Sequence, residues 1–73
     1  VRVRQRKFLI MTFEEAKEHA QQGIKVRHQY FAEEEYMIMK GNLIVFEDGC
    51  EIFANDWLGD KQWAHDGWSL YVA

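Results

Sequence analysis

The chain has 73 residues, 48% hydrophobic and 15% aromatic, and a net charge of -3. That length allows one domain, which buries only ~60% of the surface its unfolded form exposes, and the composition excludes disorder. The single cysteine, Cys50, excludes an internal disulfide, and three scattered histidines show no zinc-ligand spacing.

Charge is unevenly distributed. Arg2, Arg4, Arg6 and Lys7 lie in the first ten residues with no acid among them, and the remainder carries five basic residues against twelve acidic ones. An acidic body argues against nucleic acid as a partner. No apolar run approaches the ~20 residues of a membrane span, and the opening residues lack a signal-peptide pattern. The expectation is a soluble, cytoplasmic protein with no membrane partner.

Residues 1–10 alternate apolar and basic before turning apolar, which reads as an N-terminal extension or an edge strand guarded by arginines. A single α+β domain is expected over residues 11–73. Residues 12–22 predict a helix. Thr12 with Glu15 three residues later is a capping box, and Gly23 supplies the left-handed stop. Phe13, Ala16 and Ala20 form its apolar stripe, continued by Ile24, and the small alanines let it lie close to a sheet.

Strands follow. Ile24–His28 alternates, then Tyr36–Lys40 and Leu43–Glu47 flank Gly41-Asn42, and Leu43–Glu47 and Cys50–Ala54 flank Asp48-Gly49. Both dipeptides are hairpin signals for two-residue loops. Such loops place Ile38 opposite Val45 and Met37 opposite Phe46, then Val45 opposite Ile52 and Ile44 opposite Phe53. One face then carries Ile38, Leu43, Val45 and Ile52, and the other Met37, Met39, Ile44, Phe46 and Phe53. Residues 55–67 read as a structured loop with one helical turn near Lys61–His65, and Trp68–Val72 as a last strand. The fold class expected is α+β, with one N-terminal helix packed on an antiparallel sheet of four or five strands.

Two apolar faces exceed what one short helix covers. The face with Met37, Met39, Ile44, Phe46 and Phe53 is therefore expected to be buried in a homo-oligomer, a dimer or tetramer. The alternative is a monomer in which Trp63 and Trp68 fold over that face.

Catalytic motifs are missing. No glycine-rich phosphate loop and no nucleophile elbow occurs. Cys50 with His65 is a weak nucleophile–base pair, because a lone cysteine on a strand is commonly a packing residue. The run Glu33-Glu34-Glu35 reads as a solvated acidic face. The chain is read as a non-enzyme without catalytic residues, bound metal or cofactor. The aromatics outside the meander carry more information. Tyr30 and Trp57 suit stacking on flat rings, Arg27 with Lys25 suits phosphate, and Asn55 and Asp56 suit donor and acceptor edges. The plain alternative makes each such aromatic a lid on the sheet.

The order Met11-Thr12-Phe13-Glu14-Glu15-Ala16, a helix, Gly23-Ile24-Lys25-Val26-Arg27, an aromatic pair, a strand meander and Asp66-Gly67-Trp68-Ser69-Leu70-Tyr71 resembles the small phage proteins of the Thoeris anti-defence type-two family. The resemblance covers about residues 11–72. Tyr30-Phe31 stands where the family has a Gly-Trp pair, and Asp60 stands near the place of a motif serine. The family's members sequester cyclic signalling nucleotides, notably glycocyclic ADP-ribose species, at subunit interfaces of homo-oligomers without cleaving them. The resemblance thus implies a phage anti-defence sponge in the host cytoplasm. Its ligand-binding residues would be Arg27, Tyr30, Asn55, Asp56 and Trp57. Two alternatives are kept: a protein–protein inhibitor of a bacterial defence effector, acting through an acidic surface as some anti-CRISPR proteins do, and a small nucleotide-cleaving enzyme.

Overall fold

A computed structural model describes residues 10–72; the expected extension or edge strand at 1–10 lies, apart from Ile10, outside them. Helix α1 (Phe13–Gln21) is followed by strands β1 (Val26–His28), β2 (Met37–Lys40), β3 (Leu43–Phe46) and β4 (Glu51–Phe53). A short helix α2 (Ala54–Leu58), a 3₁₀ turn (Gln62–His65) and strand β5 (Trp68–Leu70) complete the α+β fold. The five strands form one antiparallel sheet in the order β4-β3-β2-β1-β5.

Both signals of α1 operate as the sequence predicts. The Thr12 hydroxyl accepts the Glu15 N–H at 3.2 Å, and the Glu15 carboxylate accepts the Thr12 N–H at 2.9 Å. At the other end Gly23, at φ 86°, donates to the Ala20 carbonyl while the Ile24 N–H reaches the His19 carbonyl. These are the paired bonds of a Schellman stop. Phe13, Ala16 and Ala20 are buried on the sheet, but Ile24 is exposed and does not continue the stripe.

The 41–42 hairpin has the expected register, Met37 opposite Phe46 through Lys40 opposite Leu43. The 48–49 hairpin does not. Its loop has three residues, with Phe46 donating to the Cys50 carbonyl and accepting from Gly49 N–H, both at 2.9 Å. Ile44 therefore faces Ile52 and Leu43 faces Phe53, one residue away from the expected pairing. The reason lies in Asp48. A two-residue type I′ loop needs positive φ at both central residues, and only Gly49, at 88°, has it. Asp48 keeps negative φ and spends its carboxylate on the Cys50 N–H at 3.0 Å. A one-residue slip exchanges the faces of a strand, so Ile52 packs on the core and Phe53 is 60% exposed.

The core lies between α1 and one sheet face. Met37, Met39 and Ile44 are buried there with Val26, Trp68 and Met11, whose backbone bridges Trp68. Burying each such side chain is worth ~1.5–3 kcal/mol. Phe31, Phe46, Ile52, Trp57 and Leu58 close the sides. The expectation that Met37, Met39, Ile44, Phe46 and Phe53 await a second chain is therefore corrected. The helix and the surrounding aromatics bury Met37, Met39 and Ile44, Phe46 is half-buried against them, and slippage puts Phe53 on the opposite face. Among the described residues nothing covers the other face, which carries Ile38, Leu43 and Val45, all half-buried, together with Phe53.

Candidate functional site

Register alone defines the uncovered face. Lys25 and Arg27 precede and occupy the same alternation in β1, and Arg27 is opposite Ser69 on β5. The Tyr71 N–H donates to the Lys25 carbonyl at 2.9 Å, extending that pairing. The Lys25 ammonium sits 4.5 Å from the Tyr36 ring centre, and Tyr36 lies 4.9 Å from the Tyr71 ring. Lys25 thus meets two aromatic rings on one face, with Arg27 two residues along on the same side of the strand. The Arg27 guanidinium is anchored by donating to the Phe31 carbonyl at 2.8 Å.

The remaining expected site residues are dispersed. Asn55 and Asp56 lie exposed in the first turn of α2, where they line a groove of about 460 Å³ with Lys17, Asn42 and Phe53. Tyr30 is exposed in the turn after β1. Its ring centre lies 5.6 Å from that of Trp63, which in turn lies 5.9 Å from Trp57. Trp57 is half-buried and packs on the core. None of the three clefts described among residues 10–72 is lined by all five residues.

Sequence reasoning missed the role of His28. It is fully buried, at 0% exposure. Its Nδ1 accepts the Tyr30 N–H at 3.0 Å, so the proton resides on Nε2. That Nε2 faces the carbonyls of Trp63 at 2.9 Å and Asp66 at 2.7 Å. Trp68 adds a bond from its indole N–H to the Ala64 carbonyl at 2.8 Å. Together they pin the Trp-bearing segment to the sheet, and the imidazole is a structural clamp. The alternation of Val26 and His28 was the available signal, since it places both on the face that α1 covers.

Cys50 is exposed, and its thiol donates to Asp48 Oδ2 at 3.4 Å. That hydrogen bond, then the Asp48 charge, pushes the thiol pKa up. A thiol held protonated is a poor nucleophile. Among the described residues, no three of His, Cys, Asp and Glu are placed to hold a metal ion, and no helix is long and apolar enough to cross a membrane. Comparison with protein-family models, curated proteins and solved structures found no match to this chain.

Proposed function

We propose that this chain is a binding module that sequesters a small cyclic nucleotide, of the glycocyclic ADP-ribose type, without cleaving it. The observation that carries this reading is the cluster of Lys25, Arg27, Tyr36 and Tyr71 on the uncovered sheet face. Cations meet phosphate through charge-assisted bonds and tyrosine rings stack on bases, and neither contact needs an acid–base pair.

A homo-oligomer fits this reading. The uncovered face is basic at β1, apolar over β2 and β3, and acidic at Glu51 on β4. A two-fold axis along β2 lays the β4 side of one copy over the β1–β5 side of the other. That arrangement matches charges and covers Ile38 and Val45.

The test is to load the protein with cyclic nucleotide, remove free ligand, denature the protein and analyse what is released by mass spectrometry. Intact ligand supports capture, and a linearised product identifies an enzyme. Arg27→Ala should weaken binding by ~1.5–3 kcal/mol, the range of a hydrogen bond to a charged group.

A further inference from the structure

A second cleft lies beside the β3–β4 turn. Phe31, Phe46 and Trp57 line it, and this open cleft has a volume of about 310 Å³. Their ring centres are 6.0–6.4 Å apart, with the planes inclined at 55° to 82°. Rings so inclined form walls, not a flat floor. Glu35, Glu47 and Asp48 also line the cleft.

These carboxylates are held by neutral donors. Glu35 accepts the Ala32 N–H at 2.9 Å, Glu47 the Tyr36 N–H at 3.4 Å, and Asp48 the Cys50 N–H and thiol. The Cys50 N–H, then its thiol, holds the Asp48 carboxyl below the ordinary carboxylate range, so it is ionised at neutral pH. The acids are not a metal-ligand set, since no three such groups among the described residues are placed to hold one. Their placement around an aromatic cavity suits a larger, flat, weakly hydrated cation. Within the chain, Lys61, which donates to the Trp57 carbonyl at 2.7 Å, sets its ammonium 5.3 Å from the Trp57 ring centre without lining the cleft.

We propose that this cleft is a guanidinium site that takes an arginine side chain from a partner protein. A guanidinium stacks on aromatic faces and forks to carboxylates at its edge, whereas an ammonium is a strongly hydrated point charge. Aromatic walls and an acidic rim answer both properties of arginine. Lys25, Arg27, Tyr36 and Tyr71 do not line this cleft, so the assignment does not rest on nucleotide capture.

The test is a titration of the isotope-labelled protein, followed by amide and indole NMR signals, with acetyl-Gly-Arg-Gly-amide. The same peptide with citrulline in place of arginine keeps the shape and removes the charge. The arginine peptide should move the signals of Phe46, Glu47, Cys50 and the Trp57 indole saturably, with a Kd in roughly the millimolar range. Citrulline should bind about tenfold more weakly, and Glu47→Gln, which keeps the acceptor for Tyr36 N–H, should weaken the arginine peptide about three- to tenfold. Equal binding of the two peptides would overturn the proposal. So would saturable shifts confined to the acidic first turn of α1, or the absence of any saturable shift.

Discussion

Replacing His28 by leucine tests whether the buried imidazole holds the aromatic lid. The leucine fills similar space but leaves the Tyr30 N–H and the carbonyls of Trp63 and Asp66 without the partners that His28 provides. A buried polar group left without a partner costs ~1–3 kcal/mol. Tyr30 is exposed, so its N–H can turn to water. The two carbonyls, held over a fully buried ring, carry most of the penalty, for a total of about 2–4 kcal/mol. In a domain of this size each kcal/mol lowers Tm by roughly 4–8 °C, so the loss should exceed about 8 °C. Thermal and urea unfolding, followed by tryptophan fluorescence, measure it. His28→Gln supplies the informative control, because its amide reaches the Nε2 position and carries two N–H donors for the same carbonyls. It should recover part of the loss, while His28→Asn, which reaches only toward Nδ1, should recover less. A His28→Leu variant as stable as the parent would refute the clamp, as would a glutamine variant no better than leucine.

Gly67→Ala should destabilise the fold by more than about 1 kcal/mol, read as a lower urea midpoint. Gly67 sits at φ 90°, and a Cβ there would lie 2.9 Å from both the His28 ring and the Gln29 side chain. Thr12→Ala should cost ~0.5–2 kcal/mol in the same assay through loss of the α1 cap. The Cys50 pKa is raised in the fold, so alkylation at mildly alkaline pH should be slower than for an unstructured cysteine, and Asp48→Asn should speed it. The Asp48 pKa is lowered in the fold, so its contribution to stability is present above the ordinary carboxylate value and lost as pH falls through the folded value. Asp48→Asn should accordingly flatten the acid limb of the stability curve, seen by urea unfolding at a series of acidic pH values. Ile38→Glu places charge at the centre of the uncovered face; light scattering should show an oligomer for the parent and a monomer for the variant, and a monomeric parent would refute the proposed oligomer.

Local signals in the sequence determined the elements whose causes are themselves local. The Thr12–Glu15 box and Gly23 delimit α1 because capping bonds span only three to five residues. Gly41 begins a two-residue loop because it alone supplies the positive φ there, and the β2–β3 register follows. Asp48-Gly49 looked equivalent in sequence. The choice between a two- and a three-residue loop turned on Asp48 bonding Cys50 and on which face Ile52 could bury against. That is a tertiary decision, because the slip is rewarded only where a core exists. The same holds for α2: Asn55, Asp56 and Trp57 carry strong loop chemistry, and the turn of helix forms where Ala54 docks beneath it and its N–H meets the Asn42 carbonyl. The expected site residues were legible as types but not as a set. Sequence places Arg27 and Lys25 on one side of a strand through a period of two. Which rings stand on that side depended on pairing β1 with β2 and β5, and that pairing brought Tyr36 and Tyr71 to Lys25, while Trp57 packs against the core.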